Sequence, residues 1–144
     1  MSNGNIASPD LVWLLTRKQT CFTHKRPGTT RTFSAEKGNL KNLSSYRFSG
    51  LAQPRVVDIS PSPSGKGIVF SYKKADASPF AVKNAVESKE FQFGGHGLKK
   101  KVVQELDAAG RPDLYQAALA RCDRIHASQQ TAREPRVRAS RPTA

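Results

Sequence analysis

"RVVDISPSPSGKGIVFSYKK", residues 55–74, decides the fold. A β-branched run over 55–60 and a second run over 68–74 flank a loop where Pro61, Pro63, Gly65 and Gly67 forbid regular structure. Two strand-forming runs around a Gly-rich turn predict a hairpin. In the second run Ile68, Phe70 and Tyr72 fall on one face, and Val69, Ser71 and Lys73 on the other, because side chains alternate along a strand.

Downstream the period changes from two to that of a helix. "LKKKVVQELDAAG", residues 98–110, sets Leu98, Val102, Leu106 and Ala109 at helical intervals, and Gly110 is a C-terminal stop. "RPDLYQAALARCDRIHAS", residues 111–128, opens a second helix with Pro112 at its first position and Asp113 favourable to the dipole. Leu114, Ala117, Ala118, Cys122 and Ile125 line one face, with Arg121 and Arg124 off it. The fold class is therefore α+β: a small antiparallel sheet packed with C-terminal helices, plus a basic extended tail.

Upstream, "DLVWLLTRK" over 10–18 is too short for an independent helix and predicts a buried strand. "QTCFTHKR" alternates, with Cys21 and Thr23 on one face and Phe22 and His24 on the other, before the Pro27-Gly28 turn. It predicts a hairpin or two neighbouring strands. "NLSSYRFSGL", residues 42–51, reads as extended, so Tyr46 and Phe48 enter the core together and Arg47 faces out. With so few aromatics available, packing is preferred to base stacking here. Residues 75–97 are mixed and read as a linker with one irregular helical turn. The expected organisation is an N-terminal arm over 1–9, a domain over 10–128, and a tail over 129–144 that is disordered alone.

Charge narrows the function. The 144 residues hold 24 Lys+Arg against 11 Asp+Glu, a net charge of +13. Solubility asks for a net charge of only about 2–8, and such an excess repels itself until a polyanion neutralises it. Phosphate backbones are the commonest such partner. A membrane surface fits less well, since no long amphipathic helix pairs the cations with an apolar face. "MSNGNIASPDLVWLL" has no positive leader region, so a secretory signal is not expected. Two cysteines make no disulfide framework and point to a reducing compartment.

Other motifs lead nowhere sharper. Cys21/His24 and Cys122/His126 have zinc-like spacings, but the pairs lie about a hundred residues apart and lack a C-x2-C knuckle. No metal, cofactor or small-molecule substrate is expected. "GGHGLKKK", residues 94–101, resembles a phosphate-cradling loop without the P-loop spacing. It reads equally as a hinge or as an anchor for one backbone phosphate. His96 has no partner placed by the sequence, so no catalytic residue and no enzymatic activity are expected.

Several blocks together resemble the eukaryote-specific large-subunit ribosomal protein family numbered twenty-eight. Asn39-Leu40-Lys41 and then Ser45 through Leu51 match its signature region. Gly65-Lys66-Gly67 before a β-branched strand, Arg111-Pro112-Asp113-Leu114 at a helix entry, and "LVWLLTRK" near the N-terminus follow in the right order. Residues 75–97 and the tail depart from its more basic pattern. The resemblance implies a structural component of the cytosolic large ribosomal subunit, assembled in the nucleolus, binding ribosomal RNA and neighbouring ribosomal proteins. A ribosome-assembly factor, or a free RNA- or chromatin-binding basic protein, is the alternative. The residues expected to contact RNA are Lys25, Arg26, Arg31, Lys41, Arg47, Lys66, Lys73, Lys74, Lys99, Lys100, Arg111, Arg121 and Arg124, with Arg133, Arg136, Arg138 and Arg141 in the tail. Recognition of shape and phosphate is expected to prevail over base reading, because A-form helices hide their base edges.

Overall fold

The computed structural model describes residues 7–74, 84–92 and 97–130. In chain order its elements are α1 (Pro9–Thr16), β1 (Thr23–Lys25), β2 (Thr32–Ser34), β3 (Val57–Pro61), β4 (Ile68–Lys73), β5 (Val86–Phe91), α2 (Gly97–Ala108) and α3 (Tyr115–Gln129). Short 3-10 turns stand at Tyr46–Phe48 and Pro112–Leu114. β1 and β2 form a two-stranded hairpin, while β3, β4 and β5 form a three-stranded antiparallel meander.

The decisive hairpin forms in the expected register, with Ile59 opposite Phe70 and Val57 opposite Tyr72. Its loop closes through Ser62 and Gly67, and Gly67 has φ +127°, where a Cβ would run into the backbone of Phe91. Val57, Ile59, Ile68 and Phe70 turn one face of the sheet inward. Val102 and Leu106 of α2 and Ala117, Ala118 and Cys122 of α3 complete the core. Both helices are thus where their apolar spacing puts them. Gly110 ends α2 as expected: at φ +68° it lets Arg111 N–H reach the Leu106 carbonyl at 3.0 Å. That bond is the signature of a Schellman stop.

Three expectations are corrected. The first concerns residues 10–18, which form the helix α1 rather than a buried strand. Ser8 caps it, its Oγ accepting from Leu11 N–H at 3.3 Å, with Pro9 and Asp10 in the first turn. These start signals outweigh the shortness of the apolar run. α1 has no buried residue, and Leu11, Leu14 and Leu15 stand exposed.

The second concerns residues 46–48, which curl into a 3-10 turn, so Tyr46 and Phe48 do not share a face. Phe48 packs against the core, whereas Tyr46 lies outside with its ring 6.0 Å from that of Trp13. Backbone bonds close the turn, from Phe48 N–H to the Ser45 carbonyl at 3.1 Å and from Ser49 N–H to the Tyr46 carbonyl at 3.3 Å. Side chain-to-backbone bonds hold the chain on either side of it. Ser49 Oγ accepts from Leu51 and Ala52 N–H, and buried Asn39 donates to the Leu43 carbonyl at 2.7 Å. Such local bonds compete with extended structure.

The third is β5, within the stretch read as a linker. It pairs with β4, setting Glu87 opposite Tyr72, Lys89 opposite Phe70 and Phe91 opposite Ile68. The positions level with the core therefore carry two charges, while Val86 is exposed. That inverts the pattern by which a strand is recognised. Lys89 is accommodated by Glu105 of α2, its Nζ 2.7 Å from Oε2, and this bond holds the ammonium pKa above its ordinary value. Inward-pointing charge also discourages further pairing at a sheet edge. The irregular helical turn expected in 75–97 falls largely on residues outside those described, as does the basic tail from residue 131.

The two thiols differ in a testable way. Cys21 is exposed, whereas Cys122 is buried in α3 and burial pushes its pKa up to about 11. At pH 8, alkylation of the native chain is expected to modify Cys21 quickly and Cys122 only on unfolding, since the thiolate is the nucleophile. The raised folded pKa also means that Cys122 stabilises the fold fully below pH 9.0, and that this contribution is lost as pH rises towards 11. Equal labelling rates by mass spectrometry would refute the burial.

Candidate nucleic-acid interface

Among the described residues, five cations gather at a recess of about 640 Å³ between the end of α1 and the β1–β2 hairpin. Arg17, Lys18, Lys25, Arg26 and Arg31 line it, with the hydroxyl residues Thr23, Thr29, Thr30 and Thr32, and no acidic side chain borders it. Local structure explains the gathering. Arg17 caps the C-terminal end of α1, where a cation suits the helix dipole. Arg26 and Arg31 flank the hairpin loop, and Thr29 N–H bonds the Arg26 carbonyl at 3.3 Å. A concave wall of cations and hydroxyls is suited to phosphate oxygens, since each cation offers charge-assisted hydrogen bonds.

Three residues expected to contact RNA, Lys25, Arg26 and Arg31, meet here. Arg17 and Lys18 complete the recess but were not among those expected. Their signal was present in the run of basic residues after Leu15, but reading 10–18 as a buried strand left no reason to place them beside the hairpin.

A second recess of about 550 Å³ lies between α3 and residues 40–42, bordered by Lys41, Arg121, Arg124 and Ser128. Arg121 is already engaged within the chain. Its Nε donates to the Ile59 carbonyl at 2.7 Å, and its Nη1 reaches the carbonyls of Asn39 and Leu40 at 3.3 Å. It pins α3 to the edge strand β3 and to the signature loop. Lys41 lies over the Phe48 ring, 5.3 Å from its centroid.

Arg47 and Arg111 converge on Asp113 instead. Arg111 has an 11% exposed side chain and donates to Asp113 Oδ1 at 2.9 Å, to the Arg55 carbonyl at 2.7 Å and to the Arg47 carbonyl at 2.9 Å. Arg47 donates to the Asp113 backbone carbonyl and pairs with its carboxylate at 3.4 Å. The Arg111 hydrogen bond, with help from both guanidinium charges, holds the Asp113 carboxyl below its ordinary pKa. This cluster buttresses the helix entry against residues 47–55. Lys74 pairs with Glu87 at 3.3 Å and Lys99 with Asp123 at 3.0 Å. Lys66, Lys73 and Lys100 are exposed away from the two recesses. Arg133, Arg136, Arg138, Arg141 and His96 lie outside the described residues.

Among the described residues no group of three His, Cys, Asp or Glu side chains could hold a metal, and no helix is long and apolar enough to cross a membrane.

Comparison with known proteins adds a family to this geometry. The profile of the ribosomal L28e protein family matches residues 11–128. The large ribosomal subunit protein eL28 of Dictyostelium discoideum is 32% identical over 133 residues, spanning 91% of this chain and 96% of that protein. The eL28 protein of Caenorhabditis elegans is 38% identical over 72 residues, 50% of this chain and 56% of that one.

Proposed function

Because this chain belongs to the ribosomal L28e protein family, we propose that it is a structural, non-catalytic component of the large ribosomal subunit that binds ribosomal RNA through its cationic recesses. The observation carrying this reading is the hairpin recess, five cations with no bordering acid in a chain of net charge +13. In isolation those charges repel one another, and a phosphate backbone threading the recess relieves the repulsion while releasing its own condensed counterions. The second recess, bordered by Lys41, Arg121 and Arg124, supplies a further phosphate contact. Arg111 and Asp113 keep the protein's own parts in register, while Arg121 both pins α3 and edges the second recess. Contacts of this kind position a protein on RNA without reading bases. The subunit so formed works in cytoplasmic ribosomes after nucleolar assembly, beside other ribosomal proteins.

The test is sedimentation of a cell extract. The protein is expected with large subunits and polysomes, and to leave them after ribonuclease treatment. A pool confined to the light fractions, indifferent to ribonuclease, would contradict the reading.

A further inference from the structure

The two recesses are built from different residues. The hairpin recess is walled by cations and threonines, with Pro27 and Gly28 its only other lining. The recess beside α3 joins an apolar lining to its cations, and no acidic side chain borders it. Along α3 the residues facing it are Ala117, Ala120, Arg121, Arg124 and Ile125, one stripe at helical spacing. The alanines leave room above the helix, and the space of about 550 Å³ falls among clefts that hold small ligands.

Arg121 shows what this space suits. Its Nε donates to the Ile59 carbonyl, and its Nη1 hydrogens are shared among the carbonyls of Asn39 and Leu40 and Asn42 Oδ1, each at 3.3 Å. To clasp a phosphate with two parallel bonds, a guanidinium needs Nε or Nη1 beside Nη2. Both are occupied within the chain. Arg121 therefore offers the recess its charge and the flat face of a fixed plane, a surface on which bases stack. Asn42 completes the arrangement at φ +54°, alone among the described non-glycine residues in the left-handed region. Asparagine adopts that region more readily than most residues, and such backbone recurs at ligand clamps.

We propose that the recess beside α3 takes one unpaired nucleotide of ribosomal RNA, its base against the Arg121 plane and the alanines, its flanking phosphates at exposed Lys41 and Arg124. This rests on the RNA-binding reading above and adds the class of RNA element taken. That element is a bulge, loop or strand end, because a base within a duplex has its faces and its pairing edge already covered. Three cations without an acid favour an anion, and the apolar lining favours a flat, weakly hydrated group. A nucleotide carries both. A phosphate alone leaves the apolar lining uncovered, and an apolar segment of a neighbouring protein leaves the cations uncompensated. Every base has a π face, so an extruded base is selected more than its identity.

The full chain is titrated over a range of salt with a short RNA duplex carrying one bulged adenosine, and with the same duplex whose bulged residue lacks its base. The phosphates are identical, so only an inserted base separates the two probes. The intact bulge is expected to bind about tenfold more tightly. Ala120→Leu fills the recess from an exposed helical position, and should erase that difference while leaving the salt slope unchanged. Ala127→Leu, exposed on α3 outside the recess, should preserve it. Arg124→Gln should keep the preference for the base and lower the salt slope by about one unit. Circular dichroism verifies the fold of each variant. Salt-dependent binding with no difference between the probes, or a difference that survives Ala120→Leu, would overturn the insertion alone. Salt-independent binding by the intact chain would overturn the RNA-binding reading itself. If large subunits carrying Ala120→Leu keep their RNA footprint but shed a neighbouring protein, the recess is a protein contact and the insertion is overturned.

Discussion

Phe70→Ala is expected to destabilise the domain by about 3–5 kcal/mol, near the upper end of what one core truncation does. Phe70 is fully buried and heads the largest fully buried side chains. It sits on the central strand of the meander, between Ile59 of β3 and Lys89 of β5, with the Tyr72 ring 6.3 Å away. Neighbours on both sides are fixed by hydrogen-bonded register, so little can collapse into the space left. A domain of this size has about 5–15 kcal/mol of stability in all. The urea midpoint should therefore fall by roughly 1 M or more at an unchanged slope. A matched change at exposed Phe33 should barely move it, and comparable losses at the two positions would show that the core has been misplaced.

Neutralising the hairpin recess should have the largest effect on binding. Replacing Arg17, Lys18, Lys25, Arg26 and Arg31 together by glutamine removes five cations that are all exposed, so the fold should persist. Each phosphate contact contributes roughly 0.7–0.9 to the slope of log affinity against log salt. Losing five should flatten that slope by about four units and lower affinity at near-physiological salt by roughly three orders of magnitude. Glutamines at Lys66, Lys73, Lys74, Lys99 and Lys100 provide a charge-matched comparison outside both recesses. If the two quintuple variants lose the same amount, net charge alone governs binding and the recess has no special standing.

The cations show how far a sequence carries and where it stops. Charge and family likeness point to thirteen basic residues inside the predicted domain as RNA contacts. Three gather in the hairpin recess, while Arg47 and Arg111 converge on Asp113. Nothing in the spacing of Arg111 to Arg55 or Arg47 foretells those bonds, because they join parts of the chain 56 and 64 residues apart. The same holds for Arg121, whose acceptors are in β3 and in the signature loop.

The elements divide in a similar way. The β3–β4 hairpin, α2 and α3 were legible because their apolar residues recur at the period of the structure they form. α1 departs from the strand its short apolar run suggests, because Ser8 caps it and Pro9 opens its first turn. β5 was missed because its inward positions hold Glu87 and Lys89, residues tolerated there by Tyr72, Lys74 and Glu105. The Tyr72 hydrogen bond, followed by Lys74, holds the Glu87 carboxyl below its ordinary pKa. Those compensating groups belong to other elements, and no local window contains them.

By itself, then, the sequence determined the cationic excess, the central hairpin and the two C-terminal helices, since each follows from composition or from short-range periodicity. Only the tertiary structure decided that α1 ends beside the β1–β2 loop, that β5 completes the sheet, and which positive charges stand free to meet phosphate. Whether a charge is solvated, paired or gathered with others depends on through-space distances of a few ångströms between residues far apart in the chain. That information exists only once the core has closed.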